Sequence, residues 1–304
     1  MFMKSARVHV VVITAVMAIV VGAVSLNARG SRVQTTQSKP ESIVKPVVSI
    51  SDTKPATNTA FVAAAEQNAS LRNDLTWTFG GKQQHGWYLY DSLIGQTLKT
   101  NDQPITNDFA AALALWQRRT GVSSNGVLDE DTLMALVSLW QGNRLKDRTP
   151  ANPDQLLTAP VSDFYDPERL IELRQVERKT YAAYKEMVTA AIADPTLELD
   201  HVGKDELAAS EQYFKIISAF RSREYQEELR RKQPNAGSAG LAVNSPHFTG
   251  RALDLYVGGD PVDTRDSNRA IQVKTPAYQW LVRNAERFGF RPYFYEPWHW
   301  EYVR

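Results

Sequence analysis

The chain has 304 residues, with 35 Lys and Arg against 34 Asp and Glu for a formal net charge of +1, and it contains no cysteine. That length suffices for a sizeable core and for more than one domain, and so even a charge balance excludes the strong field that would draw the protein to nucleic acid. The lack of cysteine excludes disulfides, thiolate metal ligands, cysteine nucleophiles and lipid attachment through an N-terminal cysteine.

At the N-terminus, Lys4 and Arg7 precede residues 8–26, a run that is apolar except for His9, Thr14 and Ser25. As a helix this run spans about 28 Å, close to the hydrocarbon thickness of a bilayer. Residues 1–28 therefore read as a membrane anchor or a signal peptide, with Ala23-Val24-Ser25 as the available cleavage site and the uncleaved anchor preferred on length. The positive flank places the short N-terminal side in the cytoplasm, so everything downstream is expected outside it, in the periplasm or cell envelope and tethered to the inner membrane. Residues 29–75 are rich in Ser, Thr, Pro, Ala, Val and Gln without a sustained amphipathic period, and read as a flexible linker.

A small helical domain is expected over 76–145. Asn107-Asp108 opens a helix in which Phe109, Ala112, Leu113 and Trp116 recur at helical spacing, and Gly121 stops it. The turn signal Ser123-Ser124-Asn125-Gly126 follows, then Asp129-Glu130-Asp131-Thr132 opens a second helix carrying Leu133, Leu136, Val137 and Trp140. A weaker helix is expected at 91–99. From Asp166, with Pro167 at the first helical position, a long helix is expected to 193, ending before Pro195. A buried strand at 214–220, a helix at 222–232, a strand at 252–257 and a helix from Thr275-Pro276 to the Gly289 stop complete the pattern. Without βαβ alternation the fold class is α+β, with a small antiparallel sheet and flanking helices over 160–304.

The chemistry concentrates in two runs, Ser245-Pro246-His247-Phe248-Thr249-Gly250-Arg251-Ala252-Leu253-Asp254 and Glu296-Pro297-Trp298-His299-Trp300-Glu301-Tyr302-Val303-Arg304. Together they supply two histidines, an aspartate and a spare glutamate, the inventory of a catalytic zinc site: three ligands, an open position, and a carboxylate that takes a proton. His247 and Asp254 are seven positions apart, about 23 Å along a straight strand or about 10 Å along a helix, so the chain must fold back between them, with Thr249-Gly250 as the bend. Pro297 biases Glu296 toward an extended backbone and disfavours a helical pairing with His299, leaving Glu296 to face the open position. Of the other histidines, His9 belongs to the apolar run, His85 to the first folded unit, and His201, in a polar segment, reads as an ordinary surface residue. Trp298, Trp300 and Tyr302 read as core and pocket wall, and Glu301 as a partner that orients a histidine.

Two resemblances join these observations. The string Leu115-Trp116-Gln117-Arg118-Arg119-Thr120-Gly121-Val122, with Asn125-Gly126-Val127-Leu128 and Thr132-Leu133, resembles the second half of the small peptidoglycan-binding domain of bacterial wall hydrolases. Ser245-x-His247-x-x-Gly250-x-Ala252-x-Asp254 with Glu296-x-Trp298-His299 resembles the signature of the VanY/VanX-like zinc D-alanyl-D-alanine carboxypeptidases and dipeptidases, which share a fold with lysostaphin-type peptidases. The resemblance implies Zn2+ held by His247, Asp254 and His299, Glu296 as general base, and Arg221, in Ser218-Ala219-Phe220-Arg221-Ser222, as a cation near the scissile carbonyl. In that segment Ala219 and Phe220 replace the family's Gly and Tyr. The implied activity is hydrolysis of peptidoglycan stem peptides, foremost release of the terminal D-alanine. Cleavage within the stem peptide or crossbridge, or a catalytically silent wall-binding role, are the alternatives.

Overall fold

Among the described residues, four α-helices make up most of the first half. In the computed structural model, which describes residues 59–232 and 244–304, these are α1 (Val62–Asp74), α2 (Asp91–Leu98), α3 (Asn107–Thr120) and α4 (Glu130–Gly142), with the hairpin β1 (Thr76–Phe79) and β2 (Lys82–His85) between the first two. The Thr106 hydroxyl accepts from the Phe109 N–H at 3.2 Å to start α3, and the Asp129 carboxylate accepts from the Thr132 N–H at 2.9 Å to start α4. Between them the buried Gln117 side chain donates to the Val127 carbonyl at 2.9 Å and accepts from the Gly126 N–H at 2.8 Å, fixing the turn against α3. The anchor expected at 1–28 lies outside the described residues, as does the linker up to residue 58; among the described residues no helix is long and apolar enough to cross a membrane.

The last part of the expected linker is instead the helix α1. It lacks an amphipathic signature because small and polar residues hold it in place: Ala64 and Ala65 are buried, and Asn68 donates to the Gly126 carbonyl at 2.9 Å and accepts from the Leu128 N–H at 2.7 Å. A hydrophobic period cannot reveal a helix that docks through an amide.

The second half is α+β. A four-stranded antiparallel sheet runs in the order β7 (Ile216–Ser218), β8 (Ala252–Leu255), β10 (His299–Tyr302) and β9 (Phe290–Pro292). Around it lie α5 (Arg178–Ile192), α6 (Arg223–Lys232), α7 (Asp266–Gln272) and α8 (Pro276–Asn284), the pair β3 (Leu156–Thr158) and β4 (Gln175–Glu177), and the short pair β5 (His201–Val202) and β6 (Glu206–Leu207). The central strand β8 is buried at every position, so Leu253 and Leu255 alternate with an equally buried Asp254 rather than with a solvent face.

The helix expected from Asp166 begins only at Arg178. The Asp166 carboxylate accepts the Glu168 N–H at 2.9 Å in a local turn, and Leu170 and Ile171 are exposed, so no apolar face builds there. Residues 175–177 pair with β3 instead, and Glu177 caps α5 by accepting from the Thr180 N–H at 2.7 Å.

The two halves share one hydrophobic cluster. The Phe294 ring lies 4.7 Å from Phe79, 5.4 Å from Tyr90 and 5.8 Å from Trp140, so the hairpin, the start of α2 and the end of α4 meet beside the segment leading into β10. Such aromatic pairs add about 0.5–1.5 kcal/mol each beyond the area they bury.

The bend between His247 and Asp254 is a turn of 3-10 helix, Pro246–Thr249, closed by Gly250 at φ +66°. A Cβ on Gly250 would stand 2.9 Å from the Glu177 backbone nitrogen, whose N–H donates to the Gly250 carbonyl at 3.1 Å. Both the left-handed backbone and the close approach require glycine. Gly250→Ala is expected to destabilise the fold by about 2–5 kcal/mol, combining backbone strain with overpacking. Chemical denaturation checks this, and wild-type stability in the variant would contradict the turn described.

Candidate metal centre

The register of the sheet makes the site. β8 and β10 pair so that Asp254 stands opposite His299, and β7 and β8 pair so that Ser218 stands opposite Asp254. Directly opposed residues share a face, which puts these three side chains in one row. The turn at 246–250 then returns His247 to the same place. Ligand-capable atoms of His247, Asp254 and His299 all lie within 4.8 Å of one another, and all three residues are buried.

Hydrogen bonds orient each member. His247 Nδ1 lies 2.6 Å from the Ala219 carbonyl, which can only accept, so Nδ1 carries the proton and the Nε2 lone pair faces Asp254 Oδ2 at 3.3 Å. His299 Nδ1 lies 2.9 Å from Asp254 Oδ1, and its Nε2 lies 3.2 Å from Glu301 Oε1. Arg221, also buried, donates from Nη2 to Asp254 Oδ2 at 2.8 Å and from Nε to the Ser218 hydroxyl at 3.0 Å.

These contacts set the charges. Burial opposes ionisation of Asp254, but His247 and His299 hold its carboxyl far below the usual range. Burial and the Arg221 charge push His247 down to about 4 against the pull of Asp254. Burial also disfavours an imidazolium at His299, yet the hydrogen bonds to Asp254 and Glu301 overcome it and raise the group to about 9. For Glu301 burial is likewise overruled, by Arg144 first and then His299, and its carboxyl lies far below the normal value. Glu296 behaves oppositely: burial pushes it up to about 7, with Asp254 adding to the rise and His299, Arg144 and Arg221 opposing it, and its Oε1 has no hydrogen-bond partner.

The donor set fits a divalent cation. Ligand atoms about 2 Å from a tetrahedral ion stand roughly 3.3 Å apart, the spacing found between His247 Nε2 and Asp254 Oδ2. His299, with a carboxylate on each ring nitrogen, carries a positive charge where a cation would otherwise be attracted; loss of its Nδ1 proton turns a lone pair toward Asp254. The Glu301 carboxylate behind the ring is the outer partner that metal-binding histidines typically have.

The structure thus brings together His247, Asp254, His299, Arg221 and Glu296, and leaves His201 exposed in β5 and His85 exposed in β2. Glu296 reaches the site through a β-turn with Pro297 at its second position, in which the His299 N–H donates to the Glu296 carbonyl at 2.9 Å. The pairing of 296 with 299 that the proline disfavours as a helix is therefore made as a turn. Trp298 and Trp300 are core residues. Sequence reasoning missed Arg144 and Arg148, which reach Glu301 at 2.5 Å and 3.3 Å; their only signal is a basic stretch after Gly142, and nothing in it points to a carboxylate 157 positions away.

Comparison with known proteins bears on the sheet half of the chain. Residues 174–304 match the family model described as VanY: D-alanyl-D-alanine carboxypeptidase. No curated protein matches the chain significantly. Among solved structures, that of the LdcB LD-carboxypeptidase, described as revealing the molecular basis of peptidoglycan recognition, is similar at 22% identity, covering 52% of this chain and 71% of that chain with a TM-score of 0.36. The buried His-Asp-His cluster lies wholly inside the segment 174–304 that matches the VanY, D-alanyl-D-alanine carboxypeptidase, family model.

Proposed function

We propose that the chain is a zinc-dependent peptidase that hydrolyses peptidoglycan stem peptides, foremost releasing the terminal D-alanine. The observation that carries this reading is the convergence of His247, Asp254 and His299 beside a buried Glu296 whose Oε1 lacks a hydrogen-bond partner, within the segment that matches that family model. The alternation of ring nitrogens supports it further, since each histidine donates one N–H outward and turns the other nitrogen inward.

Held by these three residues, zinc supplies a Lewis acid and lowers the pKa of water to about 7. Glu296 is the general base: its carboxyl, lifted by burial to about 7, is matched to taking a proton near neutral pH and passing it to the leaving amine. Arg221 keeps Asp254 in place through Nη2 and brings a fixed positive charge to the site, suited to stabilising negative charge on the scissile carbonyl oxygen. Asp254, paired with Arg221, remains a carboxylate throughout. The resemblance of residues 115–133 to a wall-binding module supports a peptidoglycan-binding role for the helical domain 76–145. An extracytoplasmic location, with residues 1–28 as membrane anchor or signal peptide, accords with such a substrate.

Purified protein should release D-alanine from a pentapeptide muropeptide, lose that activity on chelation and regain it with added zinc. Mass spectrometry of the products checks this; larger fragments would assign an endopeptidase, no products at all would assign a wall-binding protein, and full turnover in a metal-free preparation would sink the zinc reading. Glu296→Gln should retain zinc while kcat falls by a factor of about 100 to 10,000. Near-normal turnover in that variant would remove Glu296 as base, and His201→Ala should leave both zinc content and turnover unchanged.

A further inference from the structure

Glu301 is fully buried, and apart from His299 the groups that hold its carboxylate among the described residues come from outside the sheet domain. Arg144 donates to its Oε1 from Nη2 at 2.5 Å and from Nε at 3.1 Å, Arg148 Nη1 reaches the same oxygen at 3.3 Å, and the Leu145 N–H donates to Oε2 at 2.9 Å. All three residues follow directly on α4, the last helix of the first half. Arg144 is itself pinned: Nη1 donates to Gln141 Oε1 at 3.0 Å in the final turn of α4, and the guanidinium lies 3.9 Å from the centre of the Tyr293 ring.

Both oxygens of the carboxylate are therefore taken up, and the group cannot turn about its terminal torsion, which is otherwise broad. The fixed Oε1 faces His299 Nε2 at 3.2 Å and sets the plane of the imidazole, which in turn decides where Nδ1 points. A helical module that only carried the enzyme to the wall would need no such contact; any linker would do.

We propose that Arg144 is a positioning residue of the metal site, acting through Glu301 on His299, so that the helical domain completes the site as well as being attached to it. This rests on the zinc reading above. The nearest competing explanation is an ion pair that merely joins the two halves. That role would change stability but leave the zinc affinity of the folded protein unaltered.

The test is zinc titration of metal-stripped full-length chains, by competition with a chromophoric chelator, for wild type, Arg144→Met, Arg144→Lys, Glu301→Gln and the Arg144→Met/Glu301→Gln double variant, with circular dichroism to confirm folding. Arg144→Met is expected to weaken zinc binding about 10- to 100-fold, the usual effect of removing an outer partner of a ligand. Arg144→Lys should recover part of that loss, since lysine restores charge without the two-point fork. The double variant should bind no more weakly than Glu301→Gln alone, because both changes act on one carboxylate. Unchanged zinc affinity in a folded Arg144→Met, or additive losses in the double variant, would overturn the proposal and leave the zinc reading standing. A wild-type chain that binds no zinc would overturn both. If Arg144→Met does not fold, Arg144→Lys and Glu301→Gln decide, and wild-type affinity in both would overturn the proposal.

Discussion

The pairing of Asp254 with His299 across the antiparallel strands β8 and β10 is the constraint on which the site depends. Side chains in a strand alternate between faces, so a slip of one residue would send His299 to the opposite side of the sheet and bring Trp298 or Trp300 to Asp254. The surrounding packing makes such a slip costly. Trp298 and Trp300 are both almost wholly buried, and β9 holds the far edge of β10 through Trp300 opposite Pro292. Hydrophobic burial thereby secures the register, and the register places the polar row.

That row puts several charges in an interior that disfavours each of them singly. Buried charges are tolerable only when paired and hydrogen-bonded, and here they are arranged in alternation: Arg221 beside Asp254, Asp254 beside His299, His299 beside Glu301, Glu301 beside Arg144 and Arg148. Glu296 stands apart, close enough to feel the same charges but with one oxygen unpartnered. Two buried carboxyls two strand positions or one turn from the same histidine thus take opposite ionisation behaviour, because one is surrounded by donors and the other is not. Separation of this kind is how proteins divide binding and proton-transfer roles between chemically identical groups.

The helical half and the sheet half meet at the segment leading into β10. Phe294 inserts among Phe79, Tyr90 and Trp140, while Arg269 reaches Tyr90 Oη and the Tyr295 carbonyl, both at 3.3 Å, just before Glu296. Packing of the first half therefore bears on the segment 293–296 as well as on Glu301. A buried aromatic cluster with polar bonds at its margin resists relative movement more than a flexible tether would.

The sequence alone singled out the residues proposed to carry the chemistry and determined much of the local structure. Spacing within 245–254 and 296–299 singled out His247, Asp254, Glu296 and His299; Asp129 and Thr275 side chains cap helices that hydrophobic periodicity marks out, while the cap of α3 is Thr106 rather than the expected Asn107-Asp108, and the absence of βαβ alternation indicates α+β. These are local properties, decided by neighbours within a few positions. Tertiary structure decided what depends on distant partners. Helix α1 forms because Asn68 meets the backbone near Gly126, 58 positions on; residues 166–177 turn and pair because β3 offers an edge and no apolar face supports a helix; and Arg144 acquires meaning only when Glu301, 157 positions away, is folded against it. Polar contacts of that reach leave no periodic trace in the chain, because one buried hydrogen bond needs only one residue at each end.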